Sequence, residues 1–230
     1  MLNFKSSNFI LITKRLLLQN CFLCGSDSNQ LLCTACLSDL PYQTSTCYNC
    51  AKPLKTGNLC KQCQQNLPPY TRVQAVFSYV YPVNKLISVA KFKENLPVLN
   101  LLGSLMVKYL QIETRPDILI PIPLHPKRLR QRGYNQSLEL TKYISKHTGI
   151  PLSYNSCQRI KNTRPQVGLS TSKRATNIQD AFKVNKIKKN WQYIILIDDV
   201  MTTGSTVEAL TKEFLKAGIK RVDVWCCARR

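Results

Sequence analysis

The stretch YIILIDDVMTTGSTVEAL (residues 193–210) joins an apolar run, two adjacent acids, a turn and an apolar pattern with helical spacing. The run 193–197 predicts a buried strand. Residues 203–217 predict a helix that ends at Gly218, with one apolar face formed by Val207, Leu210, Phe214 and Leu215. Ligands of parallel α/β sheets bind where a strand ends and the next helix begins. The stretch therefore predicts a ligand site at the carboxyl end of a buried parallel strand.

The turn after the acids supplies groups that suit a phosphate. Backbone N–H groups, hydroxyls and the positive end of the helix dipole form an anion cup, and glycine allows close approach. The candidate phosphate-binding residues are Thr202, Thr203, Gly204, Ser205 and Thr206. Asp198 and Asp199 would repel a lone phosphate, but they suit a ligand that also offers hydroxyls or a bound divalent cation. A ribose 5-phosphate offers such hydroxyls, and a pyrophosphate on the sugar would add a need for Mg²⁺ and basic side chains.

The rest of the chain alternates predicted strands and helices after residue 70. Strands are predicted at 73–81, 117–124 and 221–228, where Cys226 and Cys227 are expected in the core. Helices are predicted at 85–92, 98–110 and 135–147. This alternation favours a parallel sheet with helical crossovers. We predict an α/β domain over residues 70–230, preceded by a helix at 1–20 and a cysteine-rich module at 21–69.

Eight of the 11 cysteines form four CxxC pairs. Two thiolates at this spacing can reach one metal ion, and four thiolates in tetrahedral geometry are typical of structural zinc. We predict two structural zinc ions that supply most of the folding energy of this small module. Consecutive pairs could share an ion, or the first pair could share one with the third. The predicted metal ligands are Cys21, Cys24, Cys33, Cys36, Cys47, Cys50, Cys60 and Cys63.

The N-terminal apolar run 8–13 is short and is broken by Lys14 and Arg15. It predicts neither a signal peptide nor a membrane span, so we expect a cytoplasmic protein without membrane insertion. In that compartment a disulfide framework is disfavoured. A thioredoxin-like redox site would have one CxxC pair rather than four.

The chain is strongly basic, with 33 Lys and Arg against 12 Asp and Glu, a net charge of +21. Residues 127–189 contain fifteen Lys or Arg and two acids, Glu139 and Asp180, and so contribute +13 of that charge. Such a one-signed excess favours anionic partners such as nucleic acid, phosphorylated ligands or anionic lipid.

The opening stretch resembles the PRPP-binding motif of type I phosphoribosyltransferases, in which two acids contact the ribose and the next loop holds the 5-phosphate. A Walker B strand would need a GxxxxGK[ST] sequence, which is absent. Two further stretches, PIPLHPKRLRQRGYNQS (121–137) and RPQVGLSTSKRATNIQDAF (164–182), resemble the ComF family of competence proteins. The cysteine pairs and AKFKE at Lys91 extend that resemblance over nearly the whole chain from about residue 20.

The resemblance implies a phosphoribosyltransferase-like α/β fold and a role for each matched residue. Asp198 and Asp199 become the candidate catalytic residues. A loop at 164–177 would close over the site, and members of the family are implicated in handling incoming DNA on the cytoplasmic side during natural transformation. The basic residues implied around a pyrophosphate and Mg²⁺ are Lys127, Arg128, Arg130, Arg132, Arg164, Lys173 and Arg174.

Three functions remain compatible with these residues. We favour a DNA-uptake protein that binds single-stranded DNA and also PRPP or a related ribose-phosphate ligand, with partners in a DNA-import machine. The alternatives are an active Mg²⁺-dependent phosphoribosyltransferase and a PRPP-sensing regulator. The basic segment suits both DNA and PRPP, but a groove for DNA alone would not tolerate Asp198 and Asp199. No residue set predicts an acceptor pocket, so the acceptor substrate is not predicted.

Overall fold

A computed structural model describes residues 19–92, 95–162, 180–185, 187, 188 and 190–230. The chain divides into two compact units, Met1–Leu40 and Pro41–Arg230. The helix predicted at 1–20 falls almost entirely outside the described residues, and Gln19–Asn20 form a short strand. Among the described residues, no helix combines the length and the apolar character that crossing a membrane requires.

The described part of the first unit, residues 19–40, contains two short strands and one short helix. Strands β1 (Gln19–Asn20) and β2 (Asp27–Ser28) pair antiparallel, and helix α1 (Thr34–Ser38) follows. The buried apolar residues of 19–40 are Cys21, Leu32 and Leu40. Within this described part the hydrophobic contribution is small, as expected for a module held together by metal.

The second unit contains a four-stranded parallel sheet. Its strands are β3 (Arg72–Ser78), β4 (Ile118–Pro121), β7 (Tyr193–Met201) and β8 (Arg221–Arg229), in the order β3-β8-β7-β4. A separate antiparallel pair is formed by β5 (Cys157–Arg159) and β6 (Phe182–Val184). The helices are α2 (Lys61–Gln65), α3 (Val83–Phe92), α4 (Leu96–Tyr109), α5 (Pro126–Arg132), α6 (Gln136–Thr148) and α7 (Ser205–Lys216).

The two central strands explain the two most apolar runs of the sequence. Residues 194–197 of β7 are all buried, and the predicted core positions Cys226 and Cys227 of β8 are fully buried. Strands covered on both faces lack the apolar–polar alternation of a half-exposed sheet. The predicted parallel α/β fold, with its small cysteine-rich module, is confirmed at this level.

Strand β7 is longer than predicted, and the difference positions the acid pair. The strand was predicted to end at Ile197, but its pairing with β8 continues through Asp198↔Cys226 to Met201↔Arg229. On the other side, pairing with β4 ends at Pro121↔Ile197. The two acids therefore lie within β7, on a segment that has, among the described residues, a strand neighbour on one side only.

Candidate ligand site at the end of the parallel sheet

Two acids at the carboxyl end of β7 are held by different partners. The Oδ2 atom of Asp199 lies 3.0 Å from the Nζ atom of Lys91, in the last turn of α3. The Oδ1 atom of Asp198 accepts hydrogen bonds from the Ser137 hydroxyl at 3.2 Å and from the Asp199 N–H at 2.9 Å. Both carboxylates are thus fixed in place before any ligand binds.

The start of α6 connects the end of β4 to the acid pair. Asn135 caps the helix, because its side chain accepts from the Ser137 N–H at 3.1 Å and donates to the Ile122 carbonyl at 3.0 Å. Gln136 is buried and donates to the Lys91 carbonyl at 3.3 Å. These contacts join α3, α6 and the end of β4 around the acids.

The acids and Lys91 form a coupled electrostatic group. Burial, followed by the adjacent Asp199 carboxylate, raises the pKa of Asp198 to about 7, against the opposing effects of Lys91 and the hydrogen bonds. Burial disfavours the charge of Lys91, yet the Asp199 carboxylate more than offsets it and raises the pKa of Lys91. Proton release from Asp198 would be favoured by a cation or by hydroxyl donors entering the site.

A cationic cluster formed by α5 and β5 lies close to the acids. Burial and Arg132 lower the pKa of Arg128. Burial and then Arg128 lower the pKa of Arg159 to about 10, while Asp198 acts in the opposite direction. These effects indicate that the guanidinium groups interact electrostatically with one another, and Arg159 with Asp198.

His125, the N-cap residue of α5, also interacts electrostatically with these basic side chains. It caps α5 by accepting the Lys127 N–H at 3.2 Å. Burial and then four basic neighbours lower its pKa, in the order Lys127, Arg159, Arg128 and Arg130. The predicted basic residues of α5 are therefore brought together. Arg164, Lys173 and Arg174 lie outside the described residues.

The turn between β7 and α7 is shaped around Gly204. This residue has φ +89° and is the N-cap of α7, with no side chain to cap the helix. A Cβ atom there would lie 2.7 Å from the Cε atom of Met201. The Thr203 and Ser205 hydroxyls are 2.9 Å apart, and Thr202 and Thr206 are half-buried. Because the first N–H groups of a helix lack intrahelical acceptors, the turn presents donors and positive potential to a ligand.

Several residues of the site were not singled out by the sequence. Lys91 was noted only as part of a motif, and Asn135, Gln136, Ser137 and Arg159 were not assigned roles. The first four come from helices remote in sequence from the acids, and Arg159 comes from a short strand. The dipeptide Asn135–Gln136 before an apolar helical pattern does signal a helix start. Nothing local in the sequence shows that this helix start meets Asp198.

The cysteines form two groups of four, from consecutive CxxC pairs. The Sγ atoms of Cys21, Cys24, Cys33 and Cys36 lie within 4.8 Å of one another, and so do those of Cys47, Cys50, Cys60 and Cys63. Sequential sharing is therefore the observed arrangement. The Cys24–Cys33 and Cys50–Cys60 Sγ distances are both 3.7 Å. Zinc–sulfur bonds of about 2.3 Å in a tetrahedron place sulfurs about 3.8 Å apart, so both groups fit Zn²⁺.

The two groups are structural repeats. The Cys33 N–H lies 3.3 Å from the Cys21 sulfur, and the Cys60 N–H lies 3.4 Å from the Cys47 sulfur. Backbone hydrogen bonds of this kind lower the pKa of Cys21 to about 6. In Cys47 they outweigh burial and lower the pKa to about 7. Donors aimed at sulfur favour the thiolates that zinc requires.

The chain is similar in sequence to a known domain family and to several named proteins. The profile of the double zinc ribbon domain matches residues 12–64. Competence protein F of Haemophilus influenzae is 31% identical over 210 residues, 86% of this chain and 90% of that protein. DNA utilization protein YhgH of Salmonella typhimurium is 29% identical, over 91% of this chain and 96% of that protein. Competence protein ComFC of Bacillus subtilis is 26% identical, over 86% and 89%.

A solved structure also shows a similarity, with lower sequence identity than these relatives. A purine phosphoribosyltransferase from Pyrococcus horikoshii Ot3 is 17% identical, with a TM-score of 0.33, over 57% of this chain and 80% of its own.

Proposed function

The chain belongs to the ComF family of competence proteins, and we propose that it handles incoming DNA in the cytoplasm during natural transformation. In this proposal it binds single-stranded DNA, and it binds PRPP or a related ribose-phosphate ligand with Mg²⁺ at the end of the sheet. The observation that carries the second part is the acid pair, fixed by Lys91 and Ser137 next to a cluster of arginines.

Each part of the site has a counterpart on such a ligand. The turn 202–206 would hold the 5-phosphate through N–H groups and hydroxyls. Asp198 and Asp199 would accept hydrogen bonds from the ribose hydroxyls and provide oxygen ligands for Mg²⁺, which prefers carboxylates and phosphates. Mg²⁺, when bound, neutralises pyrophosphate charge. Lys127, Arg128, Arg132 and Arg159 would contact the remaining phosphate oxygens.

The DNA part of the proposal is supported by the relatives and by charge. One relative is named a competence protein and another a DNA utilization protein. The +13 segment supplies the cations that a phosphate backbone needs. Within that segment, Tyr154 is 68% exposed and can stack on a base.

A second candidate is an active phosphoribosyltransferase with an unknown acceptor. It is favoured by the arrangement of the site, in which fixed carboxylates and a cluster of basic side chains could neutralise and hold a pyrophosphate leaving group. Release of pyrophosphate from PRPP on adding acceptor mixtures would support this candidate. A PRPP-sensing regulator would bind PRPP and change its DNA affinity without releasing pyrophosphate.

The combined substitution Asp198→Ala and Asp199→Ala tests both parts of the proposal. We expect it to abolish Mg²⁺–PRPP binding in calorimetry. It should leave the affinity for a labelled single-stranded oligonucleotide equal or slightly higher in fluorescence anisotropy, since two negative charges are lost.

The matched control is Glu139→Ala with Glu213→Ala, which removes the same charge from two surface pairs with Lys142 and Lys216. It should bind PRPP normally. A folded Asp198/Asp199 variant that loses most of its DNA affinity would show that the two ligands do not occupy separate sites. Wild-type protein that binds no PRPP with Mg²⁺ would reject the ligand part.

A further inference from the structure

Arg229, near the end of β8, is a buried cation surrounded by backbone carbonyls. Only 2% of its surface is exposed. Its Nε donates to the Cys50 carbonyl at 2.7 Å, and its Nη1 donates to the carbonyls of Met201 at 3.0 Å and of Thr202. The same Nη1 also lies 2.5 Å from the main-chain oxygen of Arg230. Burying a guanidinium is costly, and here carbonyl oxygens provide the compensation.

Besides the neighbouring Arg230, Arg229 contacts carbonyls of two separate features. Cys50 belongs to the second cysteine group, and Met201 and Thr202 lead into the ligand turn. One side chain therefore connects a four-thiolate metal site to the turn proposed to hold the 5-phosphate. The first cysteine group has no part in these contacts among the described residues.

The contacts also set the direction of N–H groups in the turn. A trans peptide is planar, with its C=O and N–H on opposite sides. Holding the Met201 and Thr202 carbonyls toward Arg229 therefore turns the N–H groups of Thr202 and Thr203 away from it. The Arg230 N–H also donates to the Met201 carbonyl, at 3.1 Å, so this carbonyl faces β8. The following N–H then faces the side of β7 that β4 leaves open.

Packing holds only part of the turn. A cavity of about 340 Å³ is lined by Cys50, Cys63, Tyr70, Thr203, Glu208 and Arg229. Gly204 lies close to Met201, but Thr203 and Arg229 both border this cavity, so the hydrogen bonds from Arg229 add to packing in holding the turn.

We propose that Arg229 is a positioning residue that orients the ligand turn, and that it makes the shape of this turn depend on metal loading of the second cysteine group. With zinc bound, the turn carrying Cys47 and Cys50 is fixed and the Cys50 carbonyl holds the guanidinium. Without zinc, that carbonyl moves, and Arg229 no longer links Cys50 to the ligand turn. The identity of the ligand rests on the proposed function, but the coupling itself does not.

The Glu208 N–H donates to the Gly204 carbonyl at 2.8 Å, so exchange of the amides of 208–210, measured without ligand, reports the position of the turn. We expect Arg229→Met and Cys60→Ser each to speed exchange there by about tenfold or more, the effect of losing one or two hydrogen bonds. Cys33→Ser changes the equivalent position of the first group, and it should leave exchange at 208–210 unchanged. The amides of 194–197 in β7 report whether each variant remains folded.

The double variant separates coupling from general destabilisation. If Arg229 and the second group act through one contact, adding Cys60→Ser to Arg229→Met should change exchange at 208–210 little further. Arg229→Lys, which keeps the charge but loses the fork of donors, should lie between wild type and Arg229→Met. Arg229→Lys also replaces Arg229→Met as the test variant if Arg229→Met does not fold.

Three results would overturn the proposal. They are unchanged exchange at 208–210 in folded Arg229 variants, an equal effect of Cys33→Ser and Cys60→Ser, and additive effects in the double variant. PRPP affinity is measured afterwards and should fall about tenfold in Arg229→Met. If wild type binds no PRPP, the proposed ligand is wrong, yet the exchange results still decide the coupling.

Discussion

Asp198, a candidate ligand-binding residue, lowers the stability of the folded protein when its carboxyl group is ionised. Its carboxyl group is half-buried beside Asp199, and its pKa is raised from an ordinary 3.8 to about 7. Between those values the folded chain binds the proton more tightly than the unfolded chain does. The free energy of unfolding therefore falls as pH rises through this window, and the loss is complete above about pH 7.

Asp198→Asn should remove this pH-dependent cost. The amide oxygen can still accept from Ser137 and from the Asp199 N–H, but it carries no charge. We expect the variant to unfold with a free energy at least ~1 kcal/mol higher than wild type at pH 8, and with an equal value near pH 4. Urea unfolding at both pH values checks this. Lower stability of the variant at pH 8 would mean that the ionised carboxylate is net favourable in the fold.

Gly204→Ala should affect both stability and ligand binding. The φ of +89° disfavours any side chain, and the new Cβ would displace Met201 at the base of the turn. We expect a loss of about 1–2 kcal/mol from the backbone conformation. Calorimetry should show weaker PRPP binding, because the turn shifts.

Gly218→Ala is the matched control for this substitution. Gly218 has φ +98° and open space around its Cβ position, so it shares the backbone cost without the contact with Met201. It should lose similar stability and keep its PRPP affinity. Equal PRPP affinities in the two variants would argue against a role for the turn in ligand binding.

At the scale of elements, local patterns predicted the four strands of the parallel sheet and its longer helices, but they missed the short strands β5 and β6, helix α5 and some buried faces. In α7, Val207, Leu210 and Phe214 are buried as predicted, whereas Leu215 is 36% exposed and Thr211 is fully buried. Within the described part of the chain, the threonine hydroxyl has no hydrogen-bond partner. Periodicity in apolar residues misses such a position, because a polar residue interrupts the pattern where the core continues.

Contacts between elements that are distant in the chain could not be predicted from the sequence. Lys91 and Asp199 are more than one hundred residues apart, and only the crossover of α3 and the order of the strands bring them together. Pairing of the four CxxC motifs was likewise undecided, because the spacing allows consecutive or crossed sharing. The length of β7 was underestimated since its last residues are polar, although β8 pairs with them.

The two cysteine groups lead to a prediction about metal removal. Each closes around a CxxC turn and a short helix that begins after Cys33 or Cys60, and few apolar contacts support either helix. A zinc chelator should therefore speed amide exchange across residues 21–63 to nearly unfolded rates. The central strands β7 and β8 should retain protection, because their core is apolar. Unchanged exchange at 21–63 after complete chelation would exclude a structural role for zinc.

For the whole molecule, the net charge of +21 sets an expectation for the salt dependence of DNA binding. If the protein neutralises about four or more phosphates of a single strand, the logarithm of the affinity should fall with the logarithm of salt concentration with a slope of about −3 or steeper. Anisotropy titrations between low and physiological salt measure this slope. A slope near zero would exclude backbone contacts as the main source of affinity.

An aromatic contribution can be tested in the same titrations. Tyr154→Ala should weaken binding at every salt concentration without changing the slope, because stacking releases no counterions. Tyr81→Ala removes a tyrosine that is also highly exposed, 67%, but lies outside the basic segment, and it should have no effect. Equal losses in both variants would point to nonspecific effects of removing surface rings.

The order of the strands has a consequence for how the protein is made. Strand β8 lies between β3 and β7, so β3 has no neighbour in the parallel sheet until residues 221–229 are present. A nascent chain that has emerged from the ribosome only through β7 would expose one edge of β7 and an unpaired β3. Such edges invite pairing with other chains. Protection of these strands during translation, by the ribosome surface or by a chaperone, would therefore matter more for this protein than for one whose final strand lies at an edge.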